Sequence, residues 1–335
     1  MTRILGQDDA HAAFRAAMDS GALHHAWLIA GPEGTGKASF ATMVALRMLA
    51  EALEASALAP GLGVHDEHPA ARLMAAGSHP DFRLLDRLPA DAKDRARPRA
   101  DWDPEGRLAR SISIDQVRAL QPMFAVTPSL SRRRVVMIDA IDDLERSAAN
   151  ALLKNLEEPP AGTIFLLISH APGRLLPTIR SRCRLLRFQS LDDDVMAAAL
   201  GRIDPAIAER DRAALIAAGE GSVGRALHFA GLDMAGIDRS LDTIARTGDP
   251  DNVQRGALGR AVSGKTAQPR YEAFLERAPA FIARQARTRR GGPLADAIAA
   301  WEAARSLAGG ALPLNLDPAT VAFEMGGLVA RLAPR

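Results

Sequence analysis

Residues 134–183 decide the fold of this chain, in four successive segments: RVVMIDAIDDL (134–144), SAANALLKNLEEPP (147–160), TIFLLISH (163–170) and PTIRSRC (177–183). The apolar run 135–138, followed by Asp139, predicts a buried strand with a carboxylate at its carboxyl end. The apolar run 164–168 predicts a second buried strand, which ends in Ser169 and His170. In open α/β sheets, ligands bind at the edge where such strands end.

The residues around these two strands complete the pattern. Alanine and leucine recur every fourth residue over 147–157, which predicts a helix, and the proline pair that follows ends it. Arg182 precedes a third predicted strand over 185–188. We therefore expect an α/β fold whose strand ends bring an acid, a small polar side chain and an arginine to one nucleotide-handling edge.

A second stretch, 26–37, begins with the apolar strand AWLIA and continues into the glycine-rich loop GPEGTGK. An alanine-rich helix follows, and this order of strand, loop and helix is typical of a phosphate-binding loop. The glycines let backbone N–H groups point at phosphate oxygens, and the lysine would reach the β and γ phosphates. The candidate nucleotide-binding residues of the loop are Gly31, Gly34, Gly36 and Lys37.

The position after the lysine departs from the phosphate-loop motif. The motif has Ser or Thr there to hold Mg²⁺, and this chain has Ala38. Ser39 would face about 100° away on the helix. Two interpretations stay open: the loop still binds a nucleotide, or it is a tight turn retained for packing.

The composition is that of a globular protein of two or three domains, with 335 residues that are 47% hydrophobic and 24% charged. The net charge is +2 and only four of the 42 cationic side chains are lysine, so autonomous DNA binding is not expected. Cys183 is the only cysteine, which excludes an intrachain disulfide and a cysteine-based zinc site. The absence of a membrane-length apolar run and of an apolar signal core predicts a cytoplasmic location.

Three histidines in residues 58–80 raise the alternative of a metal site. His65, His68 and His79 could bind a metal ion, but neither a thiolate nor a nearby fourth ligand supports it. Exposed or capping histidines are the favoured interpretation.

Residues 86–110 are rich in charge and proline and show no period, which predicts a surface excursion anchored by Trp102. A short strand over 111–114 and a capped helix over 115–121 are predicted to follow it.

With these pieces placed, the chain resembles the AAA+ clamp-loader family, and within it the group of delta prime subunits of bacterial DNA polymerase III. The match is carried, in family order, by LHHAWLIAGPEGTGK (23–37), SISIDQVR (111–118), VVMIDAIDDLERSAANALLKNLEEPP (135–160), LLISHAPGRLLPTIRSRC (166–183) and GSVGRAL (221–227). The most specific part is NALLKNLEEPP followed by PTIRSRC. The remaining C-terminal part matches only in helicity and length.

The resemblance implies a particular architecture and a set of partners. The architecture is an AAA+ parallel-sheet nucleotide-binding domain over 1–189, a small helical lid over 190–240 and an all-α collar over 241–335. The partners are gamma/tau and delta subunits, the sliding clamp and primed DNA within the complex, with no membrane. The complex forms part of the DNA polymerase III holoenzyme.

The resemblance also assigns roles to residues of this chain, of which some match the family's functional residues and others depart from them. Asp139 matches the acid of the second nucleotide motif, but Ala140 stands where active relatives carry a glutamate that activates water. Loss of a general base costs about 10²–10⁴ in rate. Ser169 lies near the first sensor position. Together with Ala38, these departures predict that the chain does not hydrolyse ATP and binds it weakly or not at all in its own site. The family's zinc module has four cysteines, and none is present there, so no zinc is predicted.

Arg182 matches the arginine that, in this family, reaches across the subunit boundary to a neighbour's bound ATP. A guanidinium suits that role because it is always charged and offers a planar fork to phosphate oxygens. The alternative without a trans role is that Arg182 pairs with a local carboxylate or carbonyl. We therefore expect a non-hydrolysing clamp-loader subunit that supplies a trans arginine finger. The alternative function is an active AAA+ ATPase, either a motor-type clamp-loader subunit or another remodelling enzyme.

Overall fold

The computed structural model describes residues 4–21, 23–54, 58–59, 61–97, 99–103, 106–207 and 209–334. These residues form two compact units, which divide at residue 195. The first unit contains the sheet and the second is built from helices.

A parallel sheet forms the centre of the first unit. Within the described residues its strands are β1 (Ala26–Ala30), β2 (Phe82–Asp86), β3 (Arg134–Asp139), β4 (Thr163–Ser169) and β5 (Arg184–Arg187). Their spatial order is β2-β3-β4-β1-β5, and each neighbouring pair is parallel. The predicted α/β fold is confirmed, and every apolar run that predicted a strand forms one.

Helices cover both faces of this sheet. They are α1 (Asp8–Asp19), α2 (Lys37–Glu54), α3 (Pro69–Ala75), α4 (Ala92–Arg95), α5 (Ile114–Arg118), α6 (Gln121–Phe124), α7 (Arg146–Glu157) and α8 (Pro177–Arg180). Three-residue 3₁₀ helices lie at Arg99–Asp101, Ile141–Asp143 and Pro172–Arg174, and α9 (Asp193–Ile203) spans the division between the units.

The side chains of each strand point alternately to the two faces of the sheet, and each face has its own apolar core. Trp27 of β1 packs with Phe14 of α1 and Phe40 of α2 on one face of the sheet. The next residue, Leu28, packs with Leu152 of α7 on the other face. Successive side chains of a strand point to opposite faces, so a continuous apolar strand is buried on both sides. Each fully buried side chain of this size contributes about 1.5–3 kcal/mol.

The segment before β2 packs against α2 and α3. Leu62 and Val64 join the α2 core together with residues of α3. The guanidinium of Arg47 in α2 donates to the backbone oxygen of Ala59 at 2.7 Å, which ties the segment to the helix.

The second unit contains seven helices within the described residues: α10 (Glu209–Gly219), α11 (Val223–His228), α12 (Met234–Thr247), α13 (Val253–Ala261), α14 (Gln268–Arg287), α15 (Gly291–Ala311) and α16 (Pro318–Ala330). A 3₁₀ helix, Lys265–Ala267, precedes α14. Arg277 of α14 is fully buried and pairs with Asp238 of α12 through two contacts of 2.8 Å. Its third donor bonds the backbone oxygen of Ala217 in α10 at 3.1 Å. One guanidinium therefore joins three helices.

The predicted strand over 111–114 is wrong. Ile112 makes only an isolated parallel bridge to Leu144, and α5 begins at Ile114. Ser113 caps this helix in a capping box with Gln116, and such a cap starts a helix at the point where a strand would have to continue.

Two positions in the second unit differ from what the sequence favours. The proposed boundary between lid and collar at 240/241 falls inside α12, which runs without a break. The pair Gly309 and Gly310 favours a helix break, but α15 continues through both to Ala311. Within the described residues, no helix is long and apolar enough to cross a bilayer.

Candidate functional site

The glycine loop between β1 and α2 has a backbone that side chains would not tolerate. Gly34 and Gly36 have positive φ values of 71° and 92°, which glycine adopts readily. A Cβ built on Gly31 would lie 2.2 Å from the backbone oxygen of Phe188, so close approach requires glycine there. The loop leads into the N-terminus of α2, where the helix dipole favours an anion.

The lysine of this loop is folded back onto the loop itself. Lys37 is only 3% exposed, and its Nζ donates to the backbone oxygen of Gly31 at 2.7 Å and to that of Pro32. Burial lowers the pKa of Lys37 to about 8, although the charge of Asp139 acts in the opposite direction. A bound phosphate would therefore have to replace two carbonyl oxygens as the partner of the ammonium.

The first turn of α2 lacks the hydroxyl that Mg²⁺ requires in such a site. Ala38 packs against the core, and Ser39 is exposed on the helix surface. The hydroxyl of Thr42, one turn further on, donates to the backbone oxygen of Ala38 at 2.9 Å. Mg²⁺ demands oxygen ligands in near-octahedral geometry, so the residues present do not fit this ion in the usual way.

Asp139 ends β3 at the carboxyl edge of the sheet, as predicted. Burial raises the pKa of Asp139, and the charge of His170 is the largest influence that opposes it. The next residue, Ala140, is 3% exposed and offers no carboxylate to activate a water molecule.

The hydroxyl at the end of β4 is already engaged. Ser169 is fully buried and donates to Oδ1 of Asp142 at 2.9 Å. The same carboxylate accepts the backbone N–H of His170 at 2.6 Å and that of Ala171 at 3.3 Å. Asp142 was not among the residues predicted for the site, although it stands three residues after Asp139 in the same acidic run.

Arg182 does not share the edge at which the other site residues lie. It precedes β5, whereas Asp139 and Ser169 are the last residues of β3 and β4. Because all the strands are parallel, residues before a strand and residues after a strand lie at opposite edges of the sheet. The expectation of a single edge that includes the arginine is therefore wrong. Arg182 lies at the amino edge, away from its own phosphate loop.

The guanidinium of Arg182 has local partners in this chain. Its Nη2 lies 2.7 Å from Oε1 of Glu157, and its Nη1 donates to the backbone oxygen of Thr178 at 2.9 Å. The two side chains of the ion pair are 33% and 48% exposed. Such pairs contribute about 0–1 kcal/mol, so phosphate oxygens could replace Glu157 at little cost. A local carboxylate was one of the predicted alternatives, but Glu157 was not identified as that partner.

The three candidate metal-binding histidines each bond the backbone close to them, and His68 caps α3. In each, Nδ1 accepts the backbone N–H two residues further on: His65 from Glu67, His68 from Ala70 and His79 from Asp81, at 3.1–3.3 Å. Among the described residues, no three His, Cys, Asp or Glu side chains converge to hold a metal ion.

Cys183 is half-buried against the core, and Trp102 takes the anchoring role predicted for it. Burial raises the pKa of the Cys183 thiol to about 12, which disfavours a role as a nucleophile. The indole of Trp102 donates to the backbone oxygen of Arg97 at 3.1 Å and stacks under the guanidinium of Arg99. The excursion after β2 is thus anchored by Trp102, but it contains regular pieces that were not predicted, namely α4 and a 3₁₀ turn.

Comparison with known protein families gives a match to a family model. Residues 6–192, more than half of the chain, match the family described as DNA polymerase III, delta subunit.

Individual relatives agree with this match. Over 159 residues, 48% of this chain, the sequence is 40% identical to DNA polymerase III subunit delta' of Pseudomonas aeruginosa, of which this match covers 41%. Over 268 residues, 77% of this chain, it is 31% identical to DNA polymerase III subunit tau of Salmonella typhimurium, of which the match covers 37%. The chain thus matches less than half the length of each relative.

A solved structure of a DNA polymerase III gamma subunit-related protein from Thermotoga maritima aligns over 97% of this chain and 99% of its own. The identity is 16% and the TM-score is 0.45, which is too low to bear on function.

Proposed function

The chain belongs to the family described as DNA polymerase III, delta subunit, and from this premise we propose that it is the delta prime subunit of a clamp loader. It assembles in the cytoplasm with gamma/tau and delta subunits and helps to place the sliding clamp on primed DNA. It does not hydrolyse ATP itself. Its chemical contribution is Arg182, which acts in trans on ATP bound by a neighbouring gamma/tau subunit.

The position of Arg182 in the sheet is the observation that supports the trans role most strongly. The residue precedes β5 at the amino edge, whereas its own phosphate loop follows β1 at the carboxyl edge. A side chain at one edge of a sheet cannot serve a nucleotide bound at the other. Any phosphate that Arg182 contacts therefore belongs to another chain. Its weak pairing with Glu157 keeps it available for such a contact.

The state of the chain's own site supports the absence of hydrolysis. Ala38 supplies no hydroxyl for Mg²⁺, and buried Ala140 supplies no base for water. Ser169 already donates to Asp142 instead of to a phosphate. Each of these groups contributes to the hydrolysis step, so their combined loss is more severe than any single one.

We expect the purified chain to show no ATP turnover above background, even with primed DNA and sliding clamp present. A variant with Ala38→Ser should remain inactive, because the restored hydroxyl still has no general base beside it. A coupled phosphate-release assay makes both measurements. Turnover on the order of one per second by the wild-type chain alone would show that it is an active ATPase.

Nucleotide binding by this site should weaken as the pH rises above about 8. Only the protonated ammonium of Lys37 attracts phosphate, and burial lowers the pKa of Lys37 to about 8 in the free protein. A bound anion raises that pKa, so binding takes up a proton, and each pH unit above 8 costs up to about tenfold in affinity. Calorimetry with a non-hydrolysable ATP analogue between pH 7 and pH 9.5 gives the profile.

The matched control for this experiment is Lys37→Met, which removes the titrating group and should give a flat, weaker profile. A wild-type profile that is equally flat would exclude Lys37 as a phosphate partner. No binding at any pH would establish the loop as a packing turn.

A further inference from the structure

The carboxyl edge of the sheet carries two acids on neighbouring strands. β2 ends in Asp86 and β3 ends in Asp139, and these residues stand directly opposite each other in the parallel register. After the larger effect of burial, the charge of Asp86 contributes to the raised pKa of Asp139. Two carboxylates at facing strand ends repel each other unless a cation balances their charge.

The excursion after β2 brings a cation to this pair. Arg99 donates from Nη1 to Oδ1 of Asp86 at 2.8 Å and from Nη2 to Oδ2 of the same carboxylate. This bidentate geometry is the strong form of an arginine–carboxylate interaction. The charge of Arg99 also acts to lower the pKa of Asp139. One guanidinium therefore influences both acids.

The turn that presents Arg99 is built around an aromatic ring. The guanidinium carbon lies 5.0 Å from the ring centroid of Trp102, whose indole N–H donates to the backbone oxygen of Arg97 at 3.1 Å. An antiparallel bridge between Pro89 and Leu108 closes the base of the excursion. The Arg99 side chain is 54% exposed, and its stacking on the ring lowers the entropy cost of the contact with Asp86.

We propose that Arg99 is a built-in counter-ion for this sheet edge and takes the role that a divalent cation has in a hydrolysing site. The first turn of α2 has no hydroxyl ligand for Mg²⁺ at Ala38, and the excursion supplies a positive charge that pairs with Asp86, the residue opposite Asp139 in the strand register. This charge offsets that of Asp86 without a metal ion, and Lys37 and His170 act on Asp139 from the same edge. A nucleotide held by the loop binds as the metal-free anion. This property belongs to the chain alone and does not depend on the trans role of Arg182.

A titration of Mn²⁺ against the full chain without nucleotide, followed by the electron paramagnetic resonance of free Mn²⁺, tests the proposal. The wild-type chain should show only weak surface binding. Arg99→Ala should gain one site per chain, at least tenfold tighter than any site of the wild type. Adding Asp139→Asn to Arg99→Ala should abolish that site. The matched control is Arg97→Ala, whose guanidinium pairs with Asp94 at 3.2 Å in the same excursion and which should behave as the wild type.

Two results would overturn the proposal. One is that Arg99→Ala binds Mn²⁺ no more tightly than the wild-type chain does, whether both bind one ion or neither does. The other is a gained site that survives Asp139→Asn, because that site would lie elsewhere. If Arg99→Ala loses its far-ultraviolet circular dichroism, Arg99→Gln carries the same expectation. Arg99→Lys keeps the charge and should stay like the wild type. No second subunit takes part, so this test and the test of the arginine finger can fail independently.

Discussion

Arg182→Ala is expected to slow ATP hydrolysis at the adjoining gamma/tau site by about 10³-fold or more, the lower end of what trans arginine fingers contribute in GTPases. The assembled complex should stay intact. Within this chain the substitution removes one partly exposed ion pair, to Glu157, and one hydrogen bond to a backbone oxygen, so little stability depends on the side chain. The measurement is single-turnover hydrolysis by a complex reconstituted with the proposed partners, primed DNA and sliding clamp.

Two further variants separate a finger from a general loss of positive charge. Arg180→Ala removes an exposed arginine from α8, two residues before Arg182, and should leave the rate unchanged. Glu157→Gln removes the local carboxylate partner and should maintain the rate or raise it. A complex with Arg182→Ala that assembles and hydrolyses ATP at the wild-type rate would exclude the trans role.

Asp238→Ala is expected to lower the free energy of unfolding of the second unit by about 3–5 kcal/mol, because it leaves a buried charge without its partner. Arg277 is fully buried, and its two contacts with Asp238 hold α14 against α12. Its one remaining hydrogen bond, to the backbone oxygen of Ala217, cannot compensate the guanidinium charge. Urea unfolding followed by circular dichroism measures the loss.

The same two helices provide an exposed ion pair as the control. Arg270 of α14 lies 2.6 Å from Asp233 at the start of α12, with side chains 27% and 53% exposed. Arg270→Ala should therefore cost less than about 1 kcal/mol. The double change Asp238→Leu with Arg277→Met should recover most of the loss, since an apolar pair of similar volume can replace a buried ion pair. A double variant as unstable as Asp238→Ala would attribute the effect to packing instead.

The elements that the sequence predicted correctly are those whose cause is local. The strands β1, β3 and β4 are short apolar runs, and such a run is buried on both faces wherever it enters a parallel sheet. Asp139 and Ser169 are the last residues of their strands, so their place at the carboxyl edge was determined by chain order. The role of the loop glycines could also be predicted from the sequence, since positive φ angles and close backbone approach both require the absence of a side chain.

The predictions that were wrong concern segments where the local preference for a strand or a helix break competes with capping or with packing against other parts of the chain. Over 111–114 the alternation of serine and isoleucine predicts a strand, but Ser113 caps α5 and Ile112 finds only one bridge partner. The pair Gly309 and Gly310 predicts a break, since each glycine costs a helix about 1 kcal/mol. Nevertheless α15 continues to Ala311, whose side chain is buried. Packing of the helix outweighs the local cost.

The sequence by itself determined the α/β fold, the phosphate loop, the missing hydroxyl at Ala38 and the missing base at Ala140, because each is a property of residues close together in the chain. Only the tertiary structure decided which groups meet. Strand order and direction separate Arg182 from its own loop, and the return of the excursion brings Arg99 to Asp86, thirteen positions earlier in the chain. Such pairings depend on where the chain turns back on itself. No local pattern of hydrophobicity or spacing encodes that return, so it became visible only in three dimensions.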